Sequence, residues 1–313
     1  MRLQLCFLVV SFAVVLPFAT QAQEQVCKPT LVGHLDIFPL TSRVFHNTRM
    51  LRVWLPPGYE DAANLQRKYK VLYLLDGQSL FDACTAFEHE EMRADETLTA
   101  LITDGKIEPI IVVGVDNGSP DDGKGGNTDN GEQRAREFLP YADPIFNPSL
   151  RDVAGDEFPG FMEREVMPPV EKKYRVLTGR ENTGLGGVSY GGAATVYALI
   201  RRPDLFGSGI IESPSMQIGN GQVLRDTVSM WTGPQRVALG VGTEEAYDMP
   251  DAARMSATMV RDVTELAEHF KAIGAAPPKV QLTVAQGAHH STRYFGERFA
   301  AALLFLYTPV AAK

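Results

Sequence analysis

Residues 31–38 and 48–55 alternate apolar and polar side chains, the period-2 pattern of strands with one wet face. They predict an antiparallel pair near the start of the chain. Pro56-Pro57-Gly58-Tyr59 then turns the backbone. After it come short runs that are apolar almost throughout: 71–75, 110–115, 183–188, 207–212, 237–242 and 280–285. Such strands belong inside a sheet covered on both faces, because neither side offers a polar row to water. Helical patterns lie between them, at 90–103, 161–174, 193–202, 252–273 and 292–306. Alternation of this kind predicts an α/β fold: a mainly parallel central sheet with right-handed crossovers and helices on both faces. No repeat or linker interrupts it.

Residues 1–22 stand apart from that alternation. Arg2 is the only charge before Glu24, and an apolar run of 14 residues, 5–18, leads to Ala19-Thr20-Gln21-Ala22. This is the layout of a secretory signal peptide cut near Ala22. The run falls short of the ~20 residues a spanning helix needs. The expectation is an exported protein, periplasmic or secreted, with residues 23–313 forming a single domain. Cys6 would leave with the leader, and Cys27 and Cys84 would then meet an oxidising compartment, either paired or both free.

Composition narrows the function. Hydrophobic residues make up 44% of the 313-residue sequence and charged residues 22%, as in a globular protein with a full core. A net charge of −8 without any basic cluster disfavours nucleic acid and anionic membrane surfaces as partners. The loop 117–133 is dense in Gly, Asp and Asn, but Asp121, Asp122 and Asp129 lack the alternate spacing of a calcium loop. It reads as a solvated loop or, because it follows a parallel strand, as a border of the active site.

The most informative segment is Gly187-Val188-Ser189-Tyr190-Gly191, a Gly-x-Ser-x-Gly pattern between an apolar strand and a helix expected to begin near Ala193. A serine at such a turn is strained and projects its hydroxyl, and the flanking glycines let strand and helix approach. In this arrangement, that of the α/β-hydrolase fold, the base and its acid follow on loops after later strands. Three histidines follow Ser189: His269 inside a predicted helix, and His289 and His290 after the last apolar strand. Position favours the latter two as the base. Glu244, Glu245 and Asp248 follow the penultimate strand and are candidates for the acid. The Tyr190 N–H, just after the nucleophile, and the Gln78 N–H, after the run 71–75, are candidates for the oxyanion hole, with Asp76 holding the loop.

Further segments carry a resemblance. They include Val71-Leu72-Tyr73-Leu74-Leu75-Asp76-Gly77-Gln78, Ile111-Val112-Val113-Gly114-Val115-Asp116-Asn117, Arg134 with Glu137 and Pro140, Arg202-Pro203-Asp204-Leu205-Phe206 and Ser213-Pro214-Ser215. With the serine motif they resemble the putative-esterase family of α/β hydrolases. That family includes feruloyl and acetylxylan esterases, siderophore esterases, S-formylglutathione hydrolases and mycolyltransferases. The resemblance spans about residues 44–307 and implies an α/β-hydrolase fold with antiparallel N-terminal strands. The family's Gly-Ala-x-His segment places the base at His290, and Gly-Thr-x-Asp places the acid at Glu245. Where the family often has Asn-Glu and a tryptophan after the histidine, this chain has Ser291, Thr292 and Phe295.

The expected reaction is hydrolysis of a small-molecule or carbohydrate ester through an acyl-enzyme. Ser189 is the nucleophile, His290 the base and Glu245 its orienting acid. Gln78 and Tyr190 N–H groups bind the oxyanion. Neither metal nor organic cofactor is expected. Phe81, Phe87, Tyr190 and Phe295 are candidates to line the acyl pocket or to pack in the core. Two rivals share the scaffold: an acyltransferase with the same nucleophile, and a non-catalytic carbohydrate-binding homologue.

Overall fold

A computed structural model describes residues 27–143, 148–274 and 278–309. The leader expected at 1–22 lies outside them. The strands are β1 (His34–Thr41), β2 (Thr48–Leu55), β3 (Lys70–Leu75), β4 (Ile110–Val115), β5 (Thr183–Val188), β6 (Ser208–Glu212), β7 (Arg236–Gly242) and β8 (Lys279–Ala285). All eight join one sheet in the order β1-β2-β4-β3-β5-β6-β7-β8. β1 runs antiparallel to β2, and β2 to β4; every other neighbouring pair is parallel.

The helices are α1 (Ala94–Thr103), α2 (Glu132–Phe138), α3 (Phe158–Phe161), α4 (Met167–Lys173), α5 (Tyr190–Arg201), α6 (Gln222–Asp226), α7 (Ala252–Lys271) and α8 (Thr292–Tyr307). One π turn, Met162–Val166, joins α3 to α4. The pleat divides the core in two. Val71, Tyr73 and Leu75 of β3 face the larger core with α3, α4, α5 and α7. Leu72 and Leu74 face a second core with α1 and α8. Both faces are covered, which is why β3 and β4 read as unbroken apolar runs.

Several boundaries differ from the sequence pattern. β1 begins at His34 rather than residue 31, because its ladder with β2 ends at His34↔Leu55. Before that point the backbone serves other partners: the Val32 N–H donates to Asp95 Oδ2 at 2.5 Å, and the Val32 carbonyl accepts from Trp54 Nε1 at 3.0 Å. α1 begins at Ala94 rather than residue 90, after a run in which Glu88, His89 and Arg93 all have positive φ. α5 begins at Tyr190, three residues earlier than expected, with two glycines in its first turn. β8 is not an interior strand but the edge of the sheet, half-buried from Val280 to Ala285.

A disulfide joins Cys27 to Cys84, with a Cα–Cα distance of 5.4 Å. Beside it the Thr30 N–H donates to Asp82 Oδ1 at 3.3 Å and the Ala83 N–H to Thr30 Oγ1 at 3.0 Å. The N-terminal segment is thereby bound across 82–84. Among the described residues no helix is long and apolar enough to cross a membrane.

Candidate active site

β5 ends at Val188, and Ser189 adopts φ 58° and ψ −121° before α5 starts. A side chain at positive φ costs on the order of 1–3 kcal/mol and persists only where surrounding contacts enforce it. Here they do. The Ser189 N–H donates to the Glu212 carbonyl at 3.1 Å, and the Ser189 carbonyl accepts from the Ala193 and Ser215 N–H groups, each at 3.1 Å. Gly187 makes the bend sterically feasible, since a Cβ there would stand 2.5 Å from the Gly191 carbonyl group. Tyr190 is the first residue of α5, so its N–H has no intrahelical acceptor and lies at the positive end of the helix dipole.

The loop after β3 is held by charge. Asp76 sits in the left-handed region at φ 57°. Its Oδ1 accepts from Arg134 Nε at 2.7 Å and Asn117 Nδ2 at 2.8 Å, and its Oδ2 from Arg134 Nη2 at 2.8 Å. Arg134 Nη2 also reaches the Val188 carbonyl at 3.4 Å. One guanidinium from α2 thus joins the β3 loop to the Ser189 bend, so Asp76 holds the loop as expected. Gln78 follows in this turn, its Oε1 accepting from the Asn117 N–H at 3.2 Å.

The histidines separate clearly. His290 Nδ1 lies 2.6 Å from Glu245 Oε2, whose side chain is fully buried. Burial alone would raise the Glu245 carboxyl. The His290 hydrogen bond and charge, the Ser213 hydroxyl and the Gly242 N–H outweigh it and hold the group below the ordinary carboxyl range. His289 instead meets Glu244 at 3.2 Å and stacks on Tyr247 with ring centroids 3.9 Å apart. Asp248 is exposed, and His269 in α7 bonds Thr227 Oγ1 at 2.6 Å.

Ser189, His290, Gln78 and Tyr190 line one cavity of about 690 Å³, a size suited to a small-molecule ligand. The Ser189 hydroxyl pairs with Ser215 Oγ at 3.5 Å; no hydrogen bond joins it to His290. The loop 117–133 contributes Asn117, Asp122, Asn127 and Asn130 to the wall, so it borders the site. Phe87, Tyr190 and Phe295 line the cavity, whereas Phe81 does not and is buried in the second core. The sequence reading missed Glu212, which lines the cavity; a glutamate closing an otherwise apolar parallel strand was the available signal. Among the described residues no three His, Cys, Asp or Glu side chains cluster as metal ligands.

The family model described as Putative esterase matches residues 42–306. The chain belongs to that family. It is 22% identical over 261 residues to the uncharacterized protein YbbA of Bacillus subtilis, a match covering 83% of this chain and 92% of that one. A second relative, an endo-1,4-beta-xylanase/feruloyl esterase of Xylanibacter ruminicola, is 28% identical over 156 residues, 50% of this chain but 18% of its own length. Among solved structures, siderophore hydrolase EstA from Aspergillus nidulans superposes with a TM-score of 0.68 at 21% identity, covering 95% of this chain and 98% of that one. Family and fold agree: this esterase is a carboxylic-ester hydrolase with an α/β-hydrolase fold.

Proposed function

We propose that Ser189, His290 and Glu245 form the catalytic triad of an exported esterase acting through an acyl-enzyme. The observation that carries this reading is the His290–Glu245 pair at 2.6 Å, whose imidazole lines the same cavity as a serine held at a strained bend. His290 takes the Ser189 proton as Oγ attacks the ester carbonyl, and Glu245 stabilises the imidazolium that forms. The Gln78 and Tyr190 N–H groups receive the oxyanion, each such donor being worth on the order of 3 kcal/mol of barrier. The alcohol departs with the proton from His290, and water repeats the sequence on the acyl-enzyme.

Apolar side chains on one wall, among them Leu80, Met92, Ile210 and Phe295, suit a bulky acyl group. The polar 117–131 loop suits the alcohol portion. Feruloyl or acetyl esters of carbohydrates and siderophore-type esters fit this division, and similar proteins are named for feruloyl esters and siderophores. The test is fluorophosphonate labelling of the wild type, with Ser189→Ala and His290→Ala assayed on a nitrophenyl ester. Turnover near wild type in either variant would defeat the assignment. A side-by-side panel of feruloyl, acetyl-sugar and siderophore esters, with an acceptor alcohol added, ranks substrates and detects acyl transfer.

Export is supported by the apolar leader and the Cys27–Cys84 disulfide, a bond that forms in oxidising compartments. Sequencing the protein recovered outside the cytoplasm should find an N-terminus near Gln23. A cytoplasmic product retaining Met1 would refute export.

A further inference from the structure

Behind His290 lies a set of buried charges that the mechanism above leaves without a role. Glu212 closes β6 and Arg298 sits in α8; they are 2% and 5% exposed. Arg298 Nε donates to Glu212 Oε2 at 2.7 Å, and Arg298 Nη2 donates to Ser213 Oγ at 3.0 Å. Ser213, itself fully buried, hydrogen-bonds Glu245 Oε1 at 2.5 Å. The Gly242 N–H reaches the same oxygen at 2.5 Å. Glu245 Oε2 is left to His290 Nδ1. The neighbouring strand makes room for this arrangement: a Cβ on Gly240, which pairs with Glu212, would stand 2.2 Å from the Glu212 carboxylate.

Burying two charges costs more than their attraction returns unless further hydrogen bonds are made, so the pair is weak evidence of a stabilising role. Its directional effect is stronger evidence. A serine hydroxyl carries one proton and accepts with its lone pairs. Arg298 can only donate, so Ser213 Oγ accepts from it and its proton is directed at Glu245. The acid is then clamped at Oε1 by a hydroxyl and an N–H, and only Oε2 is free to orient the imidazole.

We propose that Arg298, with Glu212 as its counter-ion, is a positioning residue that acts through the Ser213 hydroxyl to orient Glu245 and hence His290. This rests on the reading of Glu245 and His290 as catalytic acid and base. Arg298 Nη2 lies 4.0 Å from Glu245 Oε1, close enough to favour its charged form. Burial pushes the Glu212 carboxyl up to about 7, against the pull of Arg298 and with a smaller push from Glu245. The charged groups facing the acid–base pair are therefore Arg298 and Glu212, with the Glu244–His289 pair on the same two loops.

Ser213→Ala is the deciding variant, since it deletes one oxygen and alters no charge. On a nitrophenyl ester its kcat should fall roughly tenfold with KM changed by less than about twofold. The acidic limb of its kcat/KM profile should move to higher pH, because a carboxylate that has lost a donor is more basic and holds an imidazolium proton longer. Arg298→Lys, which keeps the charge and N–H donors but not the forked geometry, should retain more kcat than the double variant Arg298→Gln/Glu212→Gln. Wild-type kcat and pH profile in Ser213→Ala overturn the proposal, and so does equal loss in Arg298→Lys and the double variant. If the arginine variants do not fold, Ser213→Ala alone decides. Turnover in Ser189→Ala or His290→Ala would instead sink the triad itself, whereas two dead triad variants beside an unaltered Ser213→Ala sink only the positioning role.

Discussion

At the Ser189 bend the chain is positioned by its backbone: three main-chain hydrogen bonds and a glycine contact at Gly187 hold the residue in a conformation it would not otherwise adopt. At the His290–Glu245 pair the holding is done by side chains. Glu245 is fully buried and fixed by Ser213, Gly242 and His290, while His290 remains about one-third exposed at the cavity. The first region is rigid because its atoms have no room, and a mutation there acts through sterics. The second is set by a buried charge and its donors, and a mutation there acts through orientation and proton affinity.

The contrast can be broken most forcefully at Glu245. Glu245→Gln preserves shape but offers the imidazole a wrong hydrogen-bond partner, and kcat should fall roughly a thousand- to ten-thousand-fold, with the unfolding temperature at neutral pH lowered by loss of the buried carboxylate. Comparable kcat in variant and wild type, measured on a nitrophenyl ester, would remove the acid from the second region. Gly187→Ala probes the first region. Its Cβ would collide with the Gly191 carbonyl, so unfolding in urea should show a loss of about 1–3 kcal/mol together with reduced turnover.

pH sharpens the comparison, because the second region is held by a titrating carboxyl. The Glu245 carboxyl is held below its ordinary value of 4.5 despite burial, so it stabilises the fold above that value. The contribution is lost as pH falls through the lower folded value. Thermal unfolding of the wild type should therefore decline below about pH 4.5, and that of Glu245→Gln should decline less. The smallest effect is expected next door. Glu244 and His289 form an exposed pair, and Glu244→Gln or His289→Ala should change kcat by less than about twofold. A large loss in either would shift the acid–base pair one residue along both loops.

Much of this was legible because local pattern and global fold agree. β4 and β5 start and end where their apolar runs do, β2 where its alternation does, and the strand–turn–helix context of Ser189 was visible in five residues. Other features were not. From position alone Glu244, Glu245 and Asp248 stayed open, because all three are equally polar in sequence; only the family resemblance pointed to Glu245, and its meeting with His290 depends on how two loops fold against each other. Arg298 reads as a polar position on α8, yet it is buried because Glu212 and Ser213 arrive from a strand 85 residues away.

By itself the sequence determined the succession of strands and helices, the bend at Ser189 and the short set of carboxylates and histidines that could serve it. Periodicity and glycine spacing are local, and local chemistry suffices for them. Only the tertiary structure decided that β8 is an edge, that β1 begins at His34 and that Arg298 lies behind Glu245. Those facts depend on which distant groups exclude water from one another, and that is settled when the sheet assembles.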